Sequence, residues 1–216
     1  MIAALPEQVV ADVISSAFSS AGQRCSTLRV LYLQRDIADK VLTLLCGHKA
    51  ELVIGDPMEL ATDVGSVIDP HAAEALHNYI AAAQAAGNLA FALTPPVSQK
   101  GNFVGPCLIK TEHIKDIPGE IFGPVLHVRT FESEDPIAVC DEINSTGYGL
   151  TLGIHSRIDH WVDEIVGQVS AGNIYVNRNM IGAVVESQPF GGLGLSYRPK
   201  SRWSALFIAL RDGAYG

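Results

Sequence analysis

Apolar positions along the chain recur in two alternating rhythms. Between Pro6 and Ser20 the residues Val9, Val10, Val13, Ile14 and Phe18 fall on one face of a helix, and Pro6 suits its first turn. The run LRVLYLQ that follows, residues 28–34, reads as a strand. Asp36 caps a helix over 37–47, and Asp69-Pro70 opens another that runs through an alanine-rich stretch to Gly87, a usual stop. Strand-like runs follow at NLAFAL (88–93), NFVGPCLI (102–109) and PVLHVRTF (124–131). A helix over 135–144, a strand at LTLGIHS (150–156), a helix over 158–167 and a strand at GNIYVN (172–177) complete the series. This alternation predicts an α/β fold in three layers, a largely parallel sheet with helices on both faces. No repeat, low-complexity tract or linker interrupts it.

Composition narrows the class of partner. The 216 residues are 48% hydrophobic and 18% charged with a net charge of -8, enough for a buried core and unsuited to nucleic acid or an anionic membrane. A small-molecule partner is expected. Cys25, Cys46, Cys107 and Cys140 lie far apart without metal-ligand spacing, and the seven histidines show none either, so no metal site is expected. The same cysteine usage fits a reducing compartment. No apolar run reaches the roughly 18 residues that span a bilayer, and the first residues lack a basic stretch before their apolar ones. A cytoplasmic protein without a membrane-spanning segment is the expectation.

Three stretches carry candidate chemistry. In GQRCS (22–26), Cys25 occupies a loop between a helix and a strand, with Arg24 and loop amides available to favour a thiolate and hold an oxyanion. A buried structural thiol is the alternative. In PGEIFGPVLHV (118–128), Glu120 and Phe122 lie two apart, so in extended backbone they share a face that would hold a ribose and its flat ring. An ordinary Gly-Pro turn with a hydrophobic Phe explains the same residues. In NRNMIGAVVESQPFGGLG (177–194), the amides of Gly182 and Ala183 face an anionic substrate and Phe190 forms an apolar wall; otherwise this is a surface loop.

GQRCS, GDP, LATDVG, EIFGPVL, TGYGLT, GNIYVNRN and QPFGG occur here in the order found in the aldehyde dehydrogenase superfamily, which the chain resembles over roughly residues 3–196. ALPEQVVADVISSAFSSAGQRCS and YVNRNMIGAVVESQPFGG resemble most the L-glutamate γ-semialdehyde (1-pyrroline-5-carboxylate) dehydrogenase module of bacterial bifunctional proline utilization A. The resemblance implies NAD as cofactor and an aldehyde with an α-carboxylate as substrate. It implies that Cys25 attacks the aldehyde, that Glu120 binds the nicotinamide ribose, and that Phe122 packs near the ring. It assigns Ser26, Gly182 and Ala183 to the substrate carboxylate and Phe190 to its aliphatic chain.

Two departures from the family qualify the expectation. The family's dinucleotide-binding half, with its general-base glutamate and oxyanion amide, lies upstream of the helix that begins at Pro6, so the isolated chain is expected to be inactive. Residues 1–196 then form the thiol-bearing catalytic domain, and a homo-oligomer or an upstream polypeptide becomes a candidate partner. After PFGGLGLS the family continues G-x-G-P-K-A-G-G-P, whereas this chain reads YRPKSRWS. A two-base shift in a sequence coding for G-I-G-P-K-A-G-G-P yields that reading, so residues 197–216 are expected to be a frameshifted tail, with a divergent tail as the alternative. A non-catalytic remnant acting in assembly, and an aldehyde dehydrogenase for another substrate, are the competing functions.

Overall fold

The computed structural model describes residues 4–96, 101–132, 136–181 and 190–196. Helix α1 (Pro6–Phe18) starts at its proline and buries Val9, Val10, Val13, Ala17 and Phe18, the stripe its periodicity marks. It packs along α2 (Arg35–Ala50), which follows strand β1 (Val30–Gln34). Past a fold-back through residues 54–68, Asp69 caps α3 (Pro70–Ala85), its Oδ1 accepting from the Ala72 amide at 2.7 Å.

The main sheet has the order β1-β4-β3-β2, with β2 (Leu89–Ala92), β3 (Cys107–Lys110) and β4 (Val125–Phe131). β1 and β3 both run parallel to β4. β4 is central, and Val125, Leu126, His127 and Val128 in succession are buried, so both faces of the strand are covered. On the face to which His127 points, α3 supplies the cover through Tyr79. The largely parallel α/β arrangement expected from the alternation is the one observed.

Two local expectations differ. β2 is an antiparallel edge strand, with Leu89 opposite Ile109, Phe91 opposite Leu108 and Ala92 opposite Cys107. The strand expected over 102–109 begins only at Cys107. Pro106 has no amide to give a ladder, and Gly105 lies so close to the Leu93 carbonyl that a Cβ would sit 1.7 Å from that oxygen.

A smaller unit completes the fold. α4 (Pro136–Ser145) leads through the two-residue β5 (Tyr148–Gly149) into β6 (Thr151–Ile154), and α5 (Asp159–Gln168) crosses over to β7 (Asn173–Val176), parallel to β6. β5 pairs antiparallel with β8 (Leu193–Gly194). α1 ties this unit to the main sheet. Gln8 donates to the Asn177 carbonyl at 2.8 Å, Ser16 Oγ accepts from the Met180 amide at 3.1 Å, and Asp12 faces His155 at 3.7 Å. Gly182, Ala183 and the tail 197–216 lie outside the described residues.

Candidate active site

The chain reaches Cys25 through an unusual turn. Ser20, Ala21 and Gly22 follow α1 with φ of 55°, 52° and 67°, three left-handed residues in succession. Such backbone costs about 1–2 kcal/mol per non-glycine residue, so the surroundings must hold it. They do: Leu28 donates its amide to the Ser16 carbonyl, and Gln23 Oε1 accepts from the Ile68 amide at 2.8 Å. A tight turn then places Cys25 and Ser26 at its centre, closed by the Thr27 amide on the Arg24 carbonyl at 3.1 Å and by the Arg24 amide on Thr27 Oγ1 at 3.2 Å. Cys25 emerges exposed at the tip, and Ser26 is turned inward at 2% exposure.

Cys25 opens onto a cavity of about 1030 Å³ whose lining includes Thr27, Arg29, Glu120, Phe122, His127 and Phe190. Cys25, Glu120, Phe122 and Phe190 thus share one cavity, whereas Ser26 lies outside its lining. Among the described residues Glu120 is the one carboxylate lining it. Arg24, expected to serve the thiol, donates its Nε to Ser20 Oγ at 2.9 Å and braces the turn.

The cation at the centre is Arg29. Its Nη1 donates to the Gly22 carbonyl at 2.7 Å and to the Gly123 carbonyl at 3.3 Å. Nη2 donates to the Arg24 carbonyl at 3.3 Å and to Glu120 Oε1 at 3.1 Å, an oxygen that Nε also reaches at 3.3 Å. The guanidinium carbon lies 4.7 Å from the centroid of the Phe122 ring, a cation–π contact. Burial pulls the guanidinium below its ordinary value and Glu120 opposes that, so Arg29 stays charged.

Beneath Arg29, His127 fills the floor at 2% exposure. Its Nδ1 faces the Arg29 carbonyl at 3.2 Å and its Nε2 the Tyr79 hydroxyl at 2.8 Å. A carbonyl can only accept, so the ring proton belongs on Nδ1 and Nε2 accepts from Tyr79. Burial pushes this imidazole down, partly offset by the Arg29 carbonyl. Across the cavity the Asn173 side chain donates its Nδ2 to the Leu150 carbonyl at 2.8 Å and to the Gly191 carbonyl at 2.6 Å, fixing the segment that carries Phe190.

Arg29, His127 and Asn173 escape a reading of the sequence. Each has a signal, a polar residue inside an apolar strand-like run, but the partner that gives it a role lies far away in the chain. Phe122 is 47% exposed and lines the cavity, and both Arg29 bonds to Glu120 fall on its Oε1. Among the described residues no hydrogen bond falls on Oε2. Among the described residues no group of three or more His, Cys, Asp or Glu side chains stands together as metal ligands, and no helix is long and apolar enough to cross a membrane.

The architecture and the sequence have well-defined relatives. The bifunctional protein PutA of Klebsiella aerogenes is 48% identical over 199 residues, covering 89% of this chain and 15% of its own length. The 1-pyrroline-5-carboxylate dehydrogenase of Geobacillus kaustophilus is 33% identical over 197 residues, covering 88% of this chain and 37% of its own length. A solved variant of Bradyrhizobium japonicum proline utilization A superposes with a TM-score of 0.85 at 50% identity, covering 90% of this chain and 20% of that one. The chain therefore spans a minor part of the relatives it matches. Residues 3–207 match the aldehyde dehydrogenase family, and with the parallel α/β sheet and the thiol at the cavity mouth this establishes that the chain belongs to that family.

Proposed function

We propose that the chain is the thiol-bearing portion of an NAD-dependent L-glutamate γ-semialdehyde dehydrogenase, a step in proline catabolism, in the reducing interior of the cell. The observation that carries this reading is the convergence of an exposed Cys25 with an Arg29-held Glu120 and Phe122 on one cavity. The PutA and 1-pyrroline-5-carboxylate dehydrogenase relatives support the choice of substrate.

In this reading Cys25 Sγ adds to the aldehyde carbon, forming a C–S bond while the carbonyl oxygen gains charge that the Cys25 amide helps to hold. Glu120 Oε2 accepts from a ribose hydroxyl, and Phe122 gives the ring an apolar face. Bound there, NAD would supply the acceptor for the hydride that leaves the substrate carbon. The thioester left on Cys25 is then hydrolysed. Gly182 and Ala183, with Ser26, are assigned to the substrate carboxylate and Phe190 to its methylene chain. A second carboxylate to serve as base is absent from the lining among the described residues. The chain spans a minor part of the relatives it matches, and we infer that by itself it captures aldehyde without turning it over.

The test is protection of Cys25 from iodoacetamide, followed by peptide mass spectrometry. Glutamate γ-semialdehyde should slow alkylation of Cys25 and leave Cys46 unaffected, and butanal should protect less. Equal protection by both aldehydes overturns the carboxylate preference, and no protection by either overturns the nucleophile. With NAD added, sustained absorbance growth at 340 nm would overturn capture without turnover.

A further inference from the structure

Two loops meet at one guanidinium. The turn bearing Cys25 offers the Gly22 and Arg24 carbonyls, and the loop before β4 offers Gly123, Glu120 and the Phe122 ring, whose centroid lies 4.7 Å from the guanidinium carbon. The two loops also touch directly. Gly22 has φ +67°, and a Cβ on it would lie 2.1 Å from the Gly123 oxygen, so its lack of a side chain lets the two backbones close on each other. Moving one loop moves the other.

We propose that Arg29 is a positioning residue that aims Glu120 Oε2 and the Phe122 ring as one clamp and locks that clamp to the turn bearing Cys25. The inference rests on the cofactor reading above. By taking Oε1 with both Nε and Nη2, Arg29 fixes the rotation of the carboxylate and presents Oε2 in one direction. Its plane holds the Phe122 ring by the cation–π contact. A lysine has one ammonium and no plane, so it cannot satisfy Glu120, Gly22, Gly123 and Arg24 together or stack on Phe122. Arg29 itself need not touch the cofactor or the substrate.

The probe is nicotinamide mononucleotide, which contains only the ribose, ring and one phosphate, followed by saturation-transfer NMR on the full chain. Glu120→Gln should weaken transfer to the ribose protons, and Phe122→Ala transfer to the ring protons. Arg29→Lys keeps the charge yet should lower both about fivefold, and add nothing to a Glu120→Gln/Phe122→Ala background, because Arg29 acts through those two residues. Undiminished transfer in Arg29→Lys overturns the proposal. Amide hydrogen exchange without ligand gives a second readout. Arg29→Lys should speed exchange over 119–123 and 22–25 about tenfold while 107–110 stays protected, since charge-assisted hydrogen bonds are lost locally. If the parent chain receives no saturation, the cofactor reading falls while exchange still decides the role of Arg29, and unchanged exchange overturns it. Should Arg29→Lys exchange uniformly as an unfolded chain, Glu120→Gln decides: it must loosen 119–123 while 107–110 stays protected, and unchanged exchange over 119–123 overturns the proposal.

Discussion

The Tyr79 hydroxyl lies 2.8 Å from Nε2 of His127, and the second ring nitrogen of that histidine lies 3.2 Å from the Arg29 carbonyl. A neutral imidazole is thereby built into the floor of the cavity. Burial holds His127 below its ordinary value of 6.5, and burial does the same to His155 against the opposing charge of Asp12. Between each depressed folded value and 6.5, the unfolded chain binds a proton that the folded chain refuses. The stability these neutral rings provide is full above pH 6.5 and declines as the pH falls below it. The urea midpoint should therefore drop between pH 7.5 and 5.5. A His127→Gln/His155→Gln variant should show a smaller drop, and an undiminished one would refute the assignment.

Gly22 and Gly47 make a matched pair for backbone effects. Gly22→Ala forces a Cβ to 2.1 Å from the Gly123 oxygen at φ +67°, so it should destabilise the fold by more than the ~1–2 kcal/mol of the backbone conformation alone. Gly47 sits inside α2, where an added methyl would meet nothing within 4 Å, and Gly47→Ala should stabilise by about 0.5–1 kcal/mol. Urea midpoints measured side by side check both signs. A stabilising Gly22→Ala would mean that the two loops do not close on one another.

Local rules make much of this molecule readable. Pro6 and Asp69 start α1 and α3 through chemistry within four residues, and the alternation of rhythms gives the largely parallel sheet. Cys25, Glu120 and Phe122 stand out because a short turn and an i, i+2 pair are legible in sequence. Arg29 is different. Its meaning comes from Glu120, 91 positions away, and His127 gains its own from a carbonyl 98 positions away. No periodicity carries that information. The strand start at Cys107 is hidden for the same reason, since only folding brings Gly105 against the Leu93 carbonyl.

The four thiols should separate by burial. Cys25 is exposed and Cys46 half-buried, while Cys107 and Cys140 are 0% and 1% exposed. Burial also pushes the Cys140 thiol up, with Asp141 and Glu164 adding to the effect. Since the thiolate is the reacting form, iodoacetamide at pH 7.5 should label Cys25 first and Cys46 more slowly. Cys107 and Cys140 should be labelled only in urea. Early labelling of Cys107 would show that β3 is more open than the central sheet requires.

Asp69 links the start of α3 to both the floor and the mouth of the cavity. Its side chain caps the helix at Ala72, α3 carries Tyr79 onto His127, and the preceding Ile68 amide is held by Gln23, two residues from Cys25. Asp69→Ala leaves the Ala72 amide without its partner and should cost about 0.5–2 kcal/mol, the usual value of a helix N-cap. Asp69→Asn retains an acceptor oxygen and should cost far less. Exchange should quicken first at Ala72 and Ala73, then at Ile68, while the β4 amides stay protected. A loss of protection reaching β4 would mean that α3 holds the sheet as a whole, in which case His127 depends on the helix for its burial as well as for the Tyr79 bond.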